Sequence, residues 1–349
     1  MNKLNCFKKL FPIASLIAVF AGTLVFAQSA NSQIIQQPDR TTNKLKETNW
    51  NNIKIKTLSG HNDTIWSVAI AISKNLIATA SDDTTIKLWD FQTGELVRTL
   101  TGHSSGVLSV SFSPDGSQIA SSSREGIIKI WQVDTGENII TIEASERSVR
   151  SLAYSPDGKK IVNSSWDNTI EIWNAETGQL INTLTGHTQG IFAIAISPDN
   201  QKIASVSKDK TIKLWDINSG DLIDSIEGHE DNIRTVAFHP NSKIIATGSA
   251  DKTIKLWQIE TGKLKLIDTL TEHSQYLNSV AFSSDGNTLI SAAEDKTIKL
   301  WDLSESKVIR TLSGSSAGVN SAIFAEGDRT IVSGSAADDN KLRIWQQSN

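Results

Sequence analysis

The chain has 349 residues, enough for one large domain or two ordinary ones. Its 34 basic residues against 38 acidic ones give a net charge of −4, so it lacks the basic excess expected of a general nucleic-acid binder. Its single cysteine, Cys6, excludes a disulfide framework within the chain and a cysteine-based zinc site.

The first element, residues 1–27, has the pattern of a secretory signal peptide. Three lysines near the start precede an uncharged run over residues 10–27, which ends with a small residue, Ala27. The run approaches the length of a membrane-spanning helix, so an uncleaved membrane anchor is the alternative. We expect an exported protein, periplasmic or secreted. Residues 28–51 are polar and predict a flexible linker.

From Ile53 onward the chain is periodic. The heptapeptide DKTIKLW occurs three times. Seven tryptophans recur at intervals of 42 or 44 residues: Trp89, Trp131, Trp173, Trp215, Trp257, Trp301 and Trp345. Each repeat alternates short Ile- and Val-rich stretches with Pro-Asp or Gly-containing turns. This period and these turns predict a repeated antiparallel sheet.

The repeats resemble the WD-repeat family. A Gly-His pair, as in Gly60-His61, precedes by about 28 residues a Trp that is often followed by Asp, as in Trp89-Asp90. The resemblance implies an all-β fold, a seven-bladed β-propeller over residues 52–349 with four antiparallel strands per blade. The seventh repeat stops after its third strand. We therefore expect Ile53–Leu58 to pair with Leu342–Trp345 and close the ring.

Five of the six histidines occupy the Gly-His position. The family resemblance implies that each bonds to a Ser, an Asp and the Trp of its own blade, since buried polar groups need partners. The predicted structural networks are His61, Ser81, Asp83 and Trp89; His187, Ser207, Asp209 and Trp215; and His229, Ser249, Asp251 and Trp257. A Ser-His-Asp set suggests acyl transfer. Its recurrence beside a Trp in several blades favours a structural role instead.

Other blades depart from this pattern. Glu125 replaces the Asp in the second repeat, and Ser145 and Ser315 replace the His in the third and seventh. The sixth has Ala293 in place of the Ser. We expect incomplete networks there, and softer third and seventh blades.

Two positions vary freely among the repeats and predict the recognition surface. One lies five residues after the His position, and the other precedes the turn Asp or Glu. The resemblance places them on the top face of the propeller, with acidic Asp82, Glu294 and Asp338 on the side opposite a basic and aromatic group. That group is the predicted partner-binding site: Trp66, Leu108, Arg124, Arg150, Trp166, Phe192, Lys208 and Arg234.

Exposed aromatic residues beside arginines are typical of protein-binding hot spots. The sequence therefore predicts a monomeric, non-catalytic scaffold that binds an acidic and apolar peptide or loop of a partner protein. The alternative is a small-ligand-binding or hydrolytic propeller with its site at the mouth of the central channel. No catalytic motif, cofactor motif or metal-ligand spacing is found, and no nucleic-acid partner is expected.

Overall fold

The computed structural model describes Trp50 and residues 52–348. The predicted signal peptide and nearly all of the predicted linker lie outside the described residues. Within the described part of the chain, 28 β-strands are present, together with a single 3-10 turn over Ile72–Lys74. No helix among these residues is long and apolar enough to cross a membrane.

The strands are numbered β1 to β28 in chain order. The closing strand and blades 1 to 3 contain β1 Ile53–Leu58, β2 Ile65–Ala71, β3 Leu76–Ser81, β4 Ile86–Asp90, β5 Leu96–Leu100, β6 Val107–Phe112, β7 Gln118–Ser123, β8 Ile127–Gln132, β9 Asn138–Glu143, β10 Val149–Tyr154, β11 Lys160–Ser165, β12 Thr169–Asn174 and β13 Leu180–Thr185. Blades 4 to 7 contain β14 Ile191–Ile196, β15 Lys202–Ser207, β16 Thr211–Asp216, β17 Leu222–Glu227, β18 Ile233–Phe238, β19 Ile244–Ser249, β20 Ile254–Glu260, β21 Lys263–Leu270, β22 Leu277–Phe282, β23 Thr288–Ala293, β24 Thr297–Asp302, β25 Lys307–Ser313, β26 Val319–Ala325, β27 Thr330–Ser335 and β28 Leu342–Gln347.

The strands form seven four-stranded antiparallel sheets within the described range, so the predicted seven-bladed propeller is confirmed. Six blades use four consecutive strands each, and their first strands contact one another around the central channel. The long hairpin between β20 and β21 accounts for the two extra residues after Trp257.

The ring closes as the sequence predicts. Strand β1 pairs antiparallel with β28, and Ile55 lies opposite Trp345. The seventh blade therefore contains the first and the last strands of the propeller, which leaves neither terminal strand unpaired.

One residue of the predicted linker belongs to the core. Trp50 is only 3% exposed and packs with Val319, Ile331 and Trp345 in the cluster between blades 6 and 7. The prediction of a flexible linker is therefore wrong at its end, because burial of the indole fixes the chain just before β1.

The apolar core consists of layers between neighbouring blades. The middle strands are buried on both faces, as in β15, whose last five residues are all buried. The outer strands are mostly exposed, as in β13, where only Leu184 is buried. A glycine before the His also has a packing reason, because a Cβ at Gly60 would lie 2.7 Å from Cη2 of Trp89.

Small hydroxyl residues join the inner strands of adjacent blades. The backbone N–H of Leu152 donates to Ser109 Oγ at 3.2 Å, and the N–H of Ile194 donates to Ser151 Oγ at 3.3 Å. The same contact recurs at most blade boundaries. These bonds hold the inner strands in register around the channel, so the side chains that enter the channel have a rigid support.

Candidate functional site

The inner strand of every blade contains a β-bulge near its start. In blade 3, Val149 pairs with Ser165 and Ser151 pairs with Ser164, so Arg150 is the extra residue. A bulge changes the direction of a side chain without ending the strand. The seven bulge residues, here called the channel ring, are Trp66, Leu108, Arg150, Phe192, Arg234, Asn278 and Asn320.

The channel ring surrounds a cavity of about 150 Å³ at one end of the central channel. Each ring residue shares the cavity wall with the small residue that follows it, such as Ser151 or Thr235. Among the described residues, the wall contains no carboxylate, histidine or cysteine. The wall therefore provides cations, aromatic faces and neutral polar groups for binding.

Arginines and aromatic rings alternate around part of this ring. The Arg150 guanidinium carbon lies 4.9 Å from the ring centroid of Trp66 and 5.6 Å from that of Phe192. The Arg234 guanidinium carbon lies 5.1 Å from Phe192 and 4.5 Å from Tyr276. Because a cation over an aromatic face is attracted by the ring quadrupole, these contacts hold both arginines in place.

Asp82 lies within the basic group and not on the side opposite it, so that prediction is wrong. Arg124 Nε and Nη2 donate to both carboxylate oxygens of Asp82 at 2.7 and 2.8 Å. Burial alone would raise the pKa of Asp82, but Arg124 brings it below the ordinary value. The guanidinium carbon of Arg124 also lies 5.5 Å from the ring centroid of Trp66. The charge of Arg124 is thus already neutralised.

The remaining side of the channel ring is neutral and polar. Arg234 Nε and Nη2 donate to Asn278 Oδ1 at 3.3 and 3.0 Å. Asn278 Nδ2 donates to the carbonyl of Val319 at 3.2 Å, and Asn320 Nδ2 donates to the carbonyl of Ile65 at 3.1 Å. Each amide therefore bonds to the next blade, and the last bond returns to blade 1.

The structure brings together Trp66, Arg150, Phe192 and Arg234 of the predicted partner-binding residues. The other four are arranged around them. Leu108 lines the cavity wall but is only 4% exposed, and Arg124 is bound to Asp82. Trp166 lies edge-on to Phe192 with a centroid separation of 5.7 Å. Lys208 is exposed outside the cavity wall.

Sequence reasoning missed Tyr276 and misplaced one acidic position. Tyr276 occupies a loop position three residues after the His, where blades 2, 4 and 7 have glycine. That contrast could have revealed it. In blade 7, Ala336 makes the backbone bond to Gly318 that the varying residue makes in other blades, so the position assigned to Asp338 belongs to Ala336.

The buried networks contain the predicted His, Asp and Trp, but a different hydroxyl. In blade 4, Trp215 Nε1 donates to Ser205 Oγ at 2.9 Å, and Ser205 Oγ lies 2.8 Å from His187 Nε2. His187 Nδ1 lies 2.9 Å from Asp209 Oδ2. Since the Ser hydroxyl donates to Nε2, the imidazole can be neutral with its proton on Nδ1.

The predicted Ser207 lies two residues further along and has another role. Its hydroxyl donates to the backbone carbonyls of Gln189 and Gly190, and it accepts the N–H of Asp209. Ser81 and Ser249 bind in the same way in their blades. The prediction failed because side chains at even spacing share one face of a strand. Ser205 is further from Trp215 along the chain than Ser207 is, but it lies closer to it across the β15–β16 hairpin, where Ile203 pairs with Trp215.

The network residues that the sequence analysis missed share one position, ten residues before the Trp, or twelve in blade 7: Thr79, Ser121, Asn163, Ser205, Thr247, Ser291 and Ser333. All accept the indole N–H of their blade. The signal was a polar residue conserved among the repeats within this one sequence. Blade 6 has a complete network through Ser291, so the prediction that Ala293 interrupts it is wrong.

Burial and hydrogen bonding shift the titration of these networks. Burial alone would raise the pKa of Asp209, but hydrogen bonds from His187, Thr211 and the N–H of Thr188 hold it well below the ordinary range. Burial lowers the pKa of His187. Both shifts favour a neutral imidazole beside a carboxylate in the interior of blade 4.

Blades 2, 3 and 7 replace parts of the network. In blade 2, Glu125 accepts from His103 at 2.9 Å. In blade 3, which lacks the His, Ser145 Oγ donates to Asp167 at 2.6 Å. In blade 7, Arg343 forms a buried ion pair with Asp339, 2.5 Å between Nη1 and Oδ2. Across the described part of the chain, no group of three His, Cys, Asp or Glu side chains is arranged to hold a metal ion.

Known protein families match successive parts of the chain. Residues 65–227 match the second β-propeller of echinoderm microtubule-associated protein. The WD domain, G-beta repeat, matches residues 220–258, 264–302 and 306–346.

The relatives match short segments. Eukaryotic translation initiation factor 3 subunit I of Debaryomyces hansenii is 48% identical over 48 residues, 14% of each chain. A probable cytosolic Fe-S cluster assembly factor of Schizosaccharomyces japonicus is 50% identical over 42 residues, 12% of this chain and 7% of that protein. The probable E3 ubiquitin ligase complex SCF subunit sconB of Emericella nidulans is 43% identical over 53 residues, 15% of this chain and 8% of that protein. The matches thus span a small part of each relative. The WD40-repeat match over residues 220–346 agrees with the structure, in which the described residues form a closed seven-bladed β-propeller.

Proposed function

We propose that this protein is a non-catalytic protein-interaction scaffold that binds a peptide or loop of a partner protein over the channel ring. The observation that carries the proposal is the alternation of Arg150 and Arg234 with Trp66 and Phe192 at the channel mouth. Aromatic and arginine side chains contribute most strongly to protein interfaces. Their cation–π contacts reduce the entropy that these side chains would lose on binding.

The cavity and the relatives support the same proposal. A volume of about 150 Å³ is below the range of about 300–1,000 Å³ that is typical of small-molecule sites. The cavity wall lacks an evident general base among its described residues, which disfavours the hydrolytic alternative. Two of the relatives are named as subunits of larger factors or complexes, a translation initiation factor and an SCF ubiquitin ligase.

A capture experiment tests this proposal. The purified propeller is immobilised as wild type, as Trp66→Ala/Arg234→Ala, and as a control with Lys265→Ala/Ile267→Ala, which truncates a cation and an exposed aliphatic residue on outer strand β21. We expect the wild type and the control to retain the same native proteins, and the channel-ring variant to lose them. Equal recovery by all three folded proteins would contradict the assignment of this face.

Export remains part of the proposal and rests on residues 1–27. We expect the mature protein to begin at Gln28 and to be a monomer in a periplasmic or secreted fraction. Mass spectrometry of the N-terminal peptide from the native protein tests this. An intact N-terminus in the membrane fraction would favour the uncleaved anchor, and an intact N-terminus in the cytosol would contradict export.

A further inference from the structure

We propose that Arg150 binds a single carboxylate, from an Asp or Glu side chain of the partner, which enters the channel cavity between Trp66 and Phe192. The inference rests on the proposed function and names the partner group that the channel mouth recognises. Arg150 has no ion-pair partner among the described residues, the cavity has room for one side chain, and both neighbouring arginines already donate to other residues.

Arg150 differs from the two arginines beside it. Arg124 donates to both oxygens of Asp82, and Arg234 donates to Asn278. Arg150 makes no hydrogen bond and no ion pair with any described residue, although aromatic rings lie over its guanidinium at 4.9 and 5.6 Å. A guanidinium has five N–H donors in one plane, and cation–π contacts use the faces of that plane. Its donors therefore stay available to a ligand.

The surroundings of Arg150 favour an incoming anion. Burial, together with the positive charges of Arg234 and Arg124, lowers the pKa of Arg150 to about 10, although the charge of Asp82 opposes this shift. Arg150 stays protonated at neutral pH, so the channel holds a partly buried cation that forms no ion pair with a described residue. A carboxylate would provide the missing acceptor and reduce the repulsion between the arginines.

The cavity limits the size of the group that enters. Its volume of about 150 Å³ is close to that of an engineered protein cavity of about 150 Å³ that binds benzene. One side chain fits this space, whereas a folded segment does not. The Trp66 and Phe192 rings would contact the methylene groups of an Asp or Glu, while the carboxylate reaches the fork of Arg150.

The charge balance favours a carboxylate over a phosphate. A phosphorylated side chain carries about −1.5 to −2 charges and is typically bound by a cluster of arginines. Here Asp82 already neutralises Arg124, and Arg234 is oriented by Asn278 with the charge of Glu294 nearby. One unpaired cation matches one negative charge.

The test uses synthetic peptide pools with random flanks and one fixed central residue: Glu, Gln, phosphoserine or Ser. The pools are passed over the wild type, over Arg150→Met, and over Arg147→Met, which removes an exposed arginine of the same blade outside the cavity wall. We expect the wild type and R147M to bind the Glu pool about 10-fold to 100-fold more tightly than the Gln pool. R150M should lose this preference while its melting temperature stays close to that of the wild type.

The outcomes separate this inference from the proposed function. A preference of the wild type for the phosphoserine pool, or equal binding of Glu and Gln pools, would overturn the carboxylate assignment. If R150M captures native partners as the wild type does, while W66A/R234A loses them, the scaffold function stands and the inference fails. If no channel-ring variant changes partner capture, the proposed function fails as well.

Discussion

Blades 3 and 4 are neighbours with the same four strands and the same tryptophan, yet they satisfy that tryptophan differently. In blade 4, one continuous path of hydrogen bonds joins Trp215 to Ser205, His187 and Asp209. In blade 3 the path is divided. Trp173 Nε1 donates to Asn163 Oδ1 at 2.7 Å, and Asn163 Nδ2 donates to Glu171 Oε2 at 3.3 Å.

The hydrogen bonds around the turn carboxylate of blade 3, Asp167, form a second group that does not include Trp173. Ser145 donates to Asp167, and Ser165 Oγ lies 2.9 Å from Ser145 Oγ. A blade therefore needs an acceptor for its indole N–H and a donor for its turn carboxylate, but it does not need one histidine to connect them. The connection in blade 4 couples groups that blade 3 leaves independent.

The largest expected effect tests that coupling. His187→Ala removes the link in blade 4, so the buried Ser205 hydroxyl loses its acceptor and Asp209 loses its imidazole donor, while Thr211 and the N–H of Thr188 still bond to that carboxylate. We expect a loss of about 3 kcal/mol in the free energy of unfolding, measured by urea denaturation. The control is Ser145→Ala at the matching position of blade 3, where only one hydroxyl is lost and we expect about 1 kcal/mol. Equal losses in the two blades would contradict the coupling.

The next effect concerns Glu171, a buried carboxylate at a position where every other blade has Lys or Arg. Burial raises the pKa of Glu171 to about 7. The folded protein holds this proton more tightly than the unfolded chain does. The free energy of unfolding therefore falls as pH rises from about 4.5 towards about 7, because Glu171 must then be charged in the interior. We expect Glu171→Gln to raise the free energy of unfolding by about 2 kcal/mol at about pH 8.

The comparison at acidic pH distinguishes this mechanism from a change in packing. At about pH 5 the wild-type Glu171 is protonated in the fold, so E171Q should have nearly the same stability as the wild type. A stabilisation that is equal at both pH values would show that packing, and not the charge, is responsible.

A smaller effect has the opposite pH dependence and comes from the histidines of blades 2 and 4. Burial lowers the pKa of both His103 and His187 below the ordinary value of 6.5. The unfolded chain therefore takes up protons first as pH falls below about 6.5, and stability declines. In the E171Q background we expect a loss of about 1 kcal/mol between about pH 7.5 and about pH 5.5. H187A should reduce this slope, and an unchanged slope would exclude His187 as a contributor.

Much of the fold could be predicted because each blade repeats one pattern. The spacing of Trp89 and its equivalents gave the number of blades, and the missing fourth strand after Trp345 predicted the pairing with Ile53–Leu58. Hydrophobic alternation and turn residues report local structure, and closure follows from counting strands. Trp50 was missed because one apolar residue in a polar segment has no period.

The sequence allowed the residues of the site to be predicted, but not most of the contacts between them. The variation among repeats identified Trp66, Arg150, Phe192 and Arg234, and the structure places all four on the channel ring. Their side chains enter the channel because each is the extra residue of a β-bulge, and a β-bulge cannot be recognised from hydrophobic alternation. The pairing of Asp82 with Arg124 depends on which blades are adjacent and how long the side chains are, which sequence spacing does not report.

The smallest expected effect separates the hydroxyl that the sequence favoured from the one that the structure uses. Ser207→Ala removes bonds to backbone carbonyls in a turn, and blade 6 already carries alanine at this position, Ala293. We expect a loss of about 0.5–1 kcal/mol. The control, Ser205→Ala, leaves the indole N–H of Trp215 and His187 Nε2 unpaired in the interior, which should cost about 2 kcal/mol. If S207A costs more than S205A in urea denaturation, the assignment of Ser205 to the network is wrong, because the larger loss belongs to the hydroxyl that lies between the imidazole and the indole.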